Sequence, residues 1–321
     1  MRDAFISKLA ELAESDSRIF LITGDLGFGV LDDFAKRFPK QFLNAGVAEQ
    51  NMTMLATGLA MEGRIVYTYS IGNFPTLRPL EFIRNDACYH KANVKVVCIG
   101  GGFSYGALGI SHHATEDLSI LRALPDITVL SPGDDHEAQE CTVAAAETPG
   151  TVYLRLDRAS MTIDEPTAEP FQRAKARKIR EGRDVTLVST GGMLGETLKA
   201  ADSLATRGIQ ARVLSLHTIK PIDRAALIAA ASETGGLVTI EEHTVDGGLG
   251  GAVAEVLLES GVVPARFKRI GLQSKFSSVV GSQEYLRTRY GLDAPAITEV
   301  TSAMLRGPAI RLGNQEGVLT P

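Results

Sequence analysis

Two trains of strand-like runs alternating with helical patterns, interrupted once by a polar stretch, limit the fold of this chain more than any other feature. The first train places β-branched and aliphatic runs at residues 18–23, 64–69, 94–99, 127–130 and 151–154, with helical spacing between them. Strands separated by helices re-enter a sheet in the same direction, so a mainly parallel sheet covered by helices is predicted. After Arg158 the rhythm lapses into SMTIDEPTAEPFQRAKARKIREG, polar and carrying Pro166 and Pro170, which reads as a linker. It restarts with strands at 184–189, 211–216, 237–241 and 267–272. The expectation is α/β: two three-layer α/β domains with mainly parallel sheets, at residues 1–165 and 181–310. A linker at 166–180 joins them, and a loosely held tail follows at 311–321.

Bulk properties exclude several classes. A chain of 321 residues with 44% hydrophobic and 22% charged residues is long enough for two ordinary globular domains. Its net charge of -5 and the absence of a basic stripe argue against nucleic acid as the main partner, because phosphate binding needs a basic face. No apolar run reaches the length of a membrane span, and MRDAFISKLAELAESD at the start is an amphipathic helical pattern rather than a signal peptide. A cytoplasmic protein is expected. Cys88, Cys98 and Cys141 are odd in number, widely spaced and set in apolar surroundings, which favours neither a disulfide framework nor a zinc site.

One carboxylate is out of place. In NAGVAEQNMTMLATGLAMEG, residues 44–63, Glu49 opens a helical pattern that is otherwise nearly all apolar or small. Its face, by three-and-four spacing, holds Met52, Thr53, Ala56 and Ala60, none of them charged. Such an acid either stabilises the helix's first turn, where free backbone N–H groups favour negative charge, or aims at a buried ligand atom that shares a proton.

The order of that segment, FPTLRPLEFIRND (74–86), GALGISHHATEDLSILRALPDITVLSP (106–132), YLRLDR (153–158), LHTIKPID (216–223) and VTIEEHTVDGGLGGAVAEVL (238–257) resembles the transketolase family of thiamine diphosphate enzymes across essentially the whole chain. Full-length members carry a diphosphate-binding domain, a pyrimidine-binding domain and a C-terminal domain, and this chain is similar to the last two. The first of these should supply a Gly-Asp-Gly and a downstream Asn that hold magnesium against the diphosphate, since a hard cation takes oxygen ligands. TGDLG at 23–27 and PGDD at 132–135 are the nearest strings, and neither fits.

The resemblance implies roles. Glu49 would hydrogen-bond a ring nitrogen of the cofactor's aminopyrimidine and so activate the thiazolium carbon. Phe74 would lie against the pyrimidine, with Ile71 as an aliphatic second wall where relatives often carry an aromatic ring; a plain core Phe is the alternative. His112 would face the reacting carbons, an imidazole being able to donate to a substrate oxygen or relay a proton; a solvated helix start is its alternative. Arg2 and Arg158 align with arginines that hold a substrate phosphate or other terminal anion, a task suited to their forked donors, against the alternative of surface salt bridges. Two polar handles of sugar-phosphate members are missing, because an acceptor-binding Asp and a phosphate-binding His align with Leu108 and Gly100. His113 is assigned to helix-start packing, and His217 and His243 to turn and interface geometry. The glycines Gly247, Gly248, Gly250 and Gly251 are weak evidence for nucleotide binding.

These expectations amount to the C-terminal subunit of a split transketolase, moving a two-carbon ketol unit from a ketose to an aldose. It would need thiamine diphosphate, Mg2+ held by a partner subunit with the diphosphate-binding domain, and an α2β2 heterotetramer. The rivals are the beta subunit of a 2-oxo-acid dehydrogenase, a deoxyxylulose-phosphate-synthase-like subunit and a non-catalytic assembly subunit.

Overall fold

Successive residues of a strand point to opposite faces, and in the first sheet both faces are apolar. Leu21, Tyr67 and Val97 pack into one buried cluster, while their neighbours Ile22, Val66 and Val96 pack into another. A sheet buried on both sides needs helices on both sides, the arrangement that parallel crossovers produce. The computed structural model describes residues 1–165 and 168–310. The tail expected at 311–321 lies outside the described residues, as do two positions of the linker.

The first part runs α1 (Arg2–Ser15), β1 (Ile19–Thr23), α2 (Asp32–Arg37), β2 (Phe42–Asn44), α3 (Glu49–Met61), β3 (Ile65–Ile71), α4 (Leu80–Phe82) continued by a π-helical stretch at Ile83–Cys88, β4 (Val94–Ile99), α5 (Asp117–Ala123), β5 (Ile127–Leu130), α6 (Asp135–Glu147) and β6 (Thr151–Leu156). The second runs β7 (Arg177–Arg180), β8 (Val185–Ser189), α7 (Leu194–Thr206), β9 (Ala211–Ser215), β10 (Thr218–Lys220), α8 (Arg224–Glu233), β11 (Leu237–Thr244), α9 (Leu249–Glu259), β12 (Phe267–Leu272), α10 (Gln283–Arg289) and α11 (Ala294–Arg306). The strands form a seven-stranded sheet, β10-β5-β6-β4-β3-β1-β2, and a five-stranded sheet, β12-β11-β8-β9-β7. All pairings are parallel except β10 on β5 and β7 on β9. Two α/β domains with mainly parallel sheets are therefore present, as expected.

Three short strands, β2, β7 and β10, were not expected from the sequence, and two of them change the domain picture. Arg177–Arg180 falls inside the stretch read as linker, yet it is an edge strand antiparallel to β9. Its basic residues hid it: Ile179 is fully buried while Lys178 and Arg180 remain partly exposed and ion-paired, a charged edge of the kind that discourages pairing with other chains. The second, β10, belongs by sequence to the second part but closes the first part's sheet against β5.

The two parts share a core. The cluster holding Ile22, Met52 and Val96 continues without a break to Val188, Leu216, Leu249 and Val253. On the first part's side of this seam, Asp117 at the start of α5 accepts from Arg155 Nε (2.8 Å) and from the Tyr153 hydroxyl. Arg155 Nη2 then donates to the carbonyls of Ala114 (3.0 Å) and Glu242 (3.1 Å), tying β6 to β11. The Glu242 carboxylate accepts from the Phe103 amide, Arg287 and Gln283, and Arg287 also reaches Asp157. No helix among the described residues is long and apolar enough to cross a membrane. The three cysteines are free and buried, and burial holds each thiol well above its ordinary pKa.

Candidate active site

A parallel sheet aims the carboxyl ends of its strands at one edge, where the connecting loops can gather side chains. Here Ile71 ends β3, Phe74 and Arg78 lie in the turn to α4, and the long loop after β4 carries Tyr105, Leu108 and His112. Arg158 follows β6, and α3 opens nearby with Glu49.

Glu49 is only 4% exposed although it opens its helix. Its carboxylate bonds a side chain rather than the first-turn amides: both oxygens lie 3.2 Å from Arg78 Nη1. The Arg78 guanidinium in turn lies over the Phe74 ring, with Cζ 4.3 Å from the centroid. A flat nitrogenous cation thus fills the space between an acid and an aromatic face. The Arg78 side chain remains 49% exposed, so only one side of this arrangement is enclosed by the chain. Phe74 meets His112 edge-on at 5.0 Å, and its half-buried ring is not an ordinary core phenylalanine. His112 Nδ1 lies 3.0 Å from the Ser111 hydroxyl. Partial burial, then the neighbouring His113 and Arg78, hold its pKa below the ordinary histidine value, so the ring is neutral at pH 7.

Beside this group opens a cleft of about 590 Å³ lined by Arg2, Tyr69, Ile71, Tyr105, Leu108 and Arg158, with Gln283 contributed by the second domain. The sequence-predicted residues therefore divide. Glu49, Phe74 and His112 form one contact chain, whereas Arg2, Ile71 and Arg158 line the cleft. Tyr105 joins the two sets, its ring 6.2 Å from His112 and 5.5 Å beneath the Arg158 guanidinium. Burial raises the pKa of both Tyr69 and Tyr105, which stay as neutral hydroxyls. Arg2 donates to Asp3 at 2.8 Å, which raises its pKa further, and its side chain still borders the cleft.

The missing polar handles have structural counterparts. Gly100 has φ +95°, and a Cβ there would sit 2.3 Å from Tyr105 Cδ2. The position is glycine because the tyrosine ring needs the space. Leu108 is 58% exposed and forms an apolar stretch of the cleft wall.

The remaining singled-out residues are structural. His113 is fully buried, edge-on to Phe103 at 5.0 Å, with Nε2 3.2 Å from the Gly106 carbonyl. His217 stacks on Phe171 at 4.4 Å, and burial pushes its pKa down to about 4. His243 bridges the domains: Nδ1 lies 2.7 Å from the Thr244 carbonyl, and Nε2 accepts from the Ser119 amide at 3.3 Å. The glycine-rich turn before α9 faces a carboxylate already, because the amides of Leu249 and Gly250 donate to Glu241 at 2.7 and 2.8 Å. An internal anion thus fills the place a nucleotide phosphate would take.

Sequence reasoning passed over Arg78, Tyr105 and Gln283. Arg78 is the one basic residue of FPTLRPLEF, and Tyr105 follows a triple glycine whose first member makes room for it. Gln283 carries no local signal.

Fold and site together define a two-domain α/β protein with a cleft at the carboxyl edge of its first sheet. Residues 1–163 match the domain described as "Transketolase, pyrimidine binding domain", and residues 174–297 match "Transketolase, C-terminal domain". The chain belongs to the transketolase family. It is 37% identical over 298 residues to one of the subunits of the apulose-4-phosphate transketolase of Phocaeicola vulgatus, covering 92% of this chain and 94% of that protein. It is 38% identical over 299 residues to the 6-deoxy-6-sulfo-D-fructose transketolase subunit SqwH of a Clostridium species, covering 92% of each. Among solved structures it is similar to a split-gene transketolase described as an inactive beta4 tetramer, with TM-score 0.85, 37% identity, and 95% and 97% of the two chains covered.

Proposed function

We propose that this chain is the C-terminal subunit of a split transketolase that transfers a two-carbon ketol unit from a ketose to an aldose. In this reading it works only with a partner subunit that carries the diphosphate- and magnesium-binding domain, as two copies of each. The observation that carries the reading is the placement of Arg78. Its guanidinium makes the two contacts that a protonated aminopyrimidine needs, a charge-assisted bond to Glu49 and stacking on Phe74. The residues present thus fit the pyrimidine end of thiamine diphosphate.

Thiamine diphosphate, when bound, supplies the electron sink for breaking a carbon–carbon bond. The chain's own residues do the rest. Glu49 shares its proton with a ring nitrogen, Phe74 and Ile71 wall the heterocycle, and Arg78 turns toward solvent to admit it. His112, neutral at pH 7, accepts or returns a proton at a substrate oxygen. Arg2 and Arg158 hold a terminal anion of the sugar in the cleft. The two subunit relatives are named for sugars that end in a phosphate and in a sulfonate, and an arginine pair suits either. Exposed apolar side chains around Glu49, namely Val47, Met54, Leu55 and Leu77, supply a surface for the partner.

The test is to assemble the chain with a candidate partner bearing Gly-Asp-Gly and its downstream Asn, and to assay ketol transfer over a panel of ketose donors and aldose acceptors. Ketol transfer by the pair but not by either chain is expected. Tight, magnesium-dependent binding of thiamine diphosphate to this chain alone, measured by titration calorimetry, would refute the split-subunit reading. Decarboxylation of a 2-oxo acid by the pair would move the assignment to another branch of the cofactor class.

A further inference from the structure

The cleft is not made by the first domain alone. Gln283, the first residue of α10, lines it from the second domain, and the Gly281 amide donates to the Gly106 carbonyl (3.3 Å) to tie that segment to the loop carrying Leu108. Resting on the ketol-transfer reading above, we propose that Gln283 is a substrate contact whose amide oxygen accepts a hydrogen bond from a hydroxyl of the bound sugar.

The argument lies in what holds the amide. Gln283 Nε2 is within 3.1–3.3 Å of Glu242 Oε1 and Oε2, Asp157 Oδ2 and the Ser104 hydroxyl. Ser104 already donates to the Gly101 carbonyl at 2.9 Å, so toward Gln283 it is an acceptor. Every oxygen facing Nε2 therefore wants a donor, and a flipped amide would press Oε1 against two carboxylates. The orientation is fixed without reference to any ligand. With its nitrogen committed to the seam, the oxygen is the amide atom left for the cleft that Gln283 lines, and among the described residues it accepts no hydrogen bond. Ser104, Ser282, Tyr105 and Leu108 line the same cleft, and because the Ser104 hydroxyl already donates to Gly101, the Gln283 oxygen is an acceptor still open there. A sugar hydroxyl is the donor such a cleft would meet, between an anionic end held by the arginines and the reacting carbons. Glu242 and Asp157, which accept from the amide, and Arg287, which holds both carboxylates, are positioning residues for that acceptor, because they do not line the cleft.

The experiment uses the assembled pair and two variants. Gln283→Met keeps the length of the side chain and removes both amide atoms. Gln283→Lys restores a donor toward Glu242 and Asp157 but offers no acceptor. The wild-type pair should prefer its best aldose phosphate over one singly deoxygenated analogue by about tenfold in kcat/KM, and both variants should lose that preference, chiefly through KM on the parent sugar. A uniform fall on parent and analogues alike, or a preference restored by Gln283→Lys, would show a purely structural role and overturn the assignment. Absence of any ketol transfer by the wild-type pair would sink the activity reading alone. Saturation-transfer NMR of D-ribose 5-phosphate and its monodeoxy analogues on the purified pair then reads Gln283 directly, and an unchanged binding pattern in Gln283→Met overturns the inference.

Discussion

Charged groups at the domain seam and at the cleft are handled in opposite ways. At the seam, Asp117 faces Arg155, and Glu242 and Asp157 face Arg287, all with side chains no more than 12% exposed. Beside the cleft, Glu49 is just as buried, but its cation, Arg78, is half in solvent and held by a single nitrogen. Arg2 and Arg158 border open space. A buried charge whose partner is equally buried is committed to the fold. One whose partner is exposed and replaceable is available for a ligand, because little is lost when the surface cation leaves.

The largest effect expected from breaking this contrast is at the seam. Arg155→Met strands the Asp117 carboxylate without its cation and should lower unfolding free energy by about 3–5 kcal/mol, read from urea midpoints. Acid should weaken the fold at a second buried group, away from those ion pairs. His217 has its pKa depressed to about 4 in the fold from an ordinary 6.5, so the unfolded chain takes up this proton first. The stability it contributes is complete above about pH 6.5 and is lost as pH falls toward 4, of order 3 kcal/mol in all. His217→Asn should flatten stability measured between pH 7 and 4.5, and an unchanged slope would contradict this.

Effects at the cleft should appear in turnover rather than in stability. Glu49→Gln in the assembled pair should slow turnover by roughly 10²-fold or more while leaving the unfolding midpoint of the isolated chain within about 1 kcal/mol of wild type. Near wild-type turnover would remove Glu49 from the catalytic assignment. The smallest change belongs to Arg78→Ala. The lost pair is worth about 1 kcal/mol or less, and removing an internal competitor should tighten thiamine diphosphate binding to the pair by up to about fivefold. Calorimetric titration showing weaker binding would mean that Arg78 supports the cofactor instead of holding its place.

Long central strands and the acid at the head of α3 were legible in sequence because each leaves a local pattern: a β-branched run in one case, a charge on an apolar helical face in the other. The strands β2, β7 and β10 were not. Each has three or four residues, and β7 is three-quarters basic, which suits a solvent-facing edge but resembles a linker. The site divided in the same way. Glu49, Phe74 and His112 could be found from motifs along the chain. The ion pair of Glu49 with Arg78 spans 29 residues, and the contact of Gln283 with Ser104 spans 179, so neither has a sequence period to announce it. Gly100 became intelligible only with the Tyr105 ring in view.

The antiparallel addition of β10 to β5 makes the two domains poor candidates for separation. A polypeptide stopped between residues 165 and 218 would leave ITVL, an apolar strand with a full row of unpaired backbone groups, at the rim of the first sheet. Two such fragments would pair through that rim, and the product would be an aggregate rather than a half-enzyme. A productive division of this architecture, by recombination or by protein engineering, has to fall outside that interval.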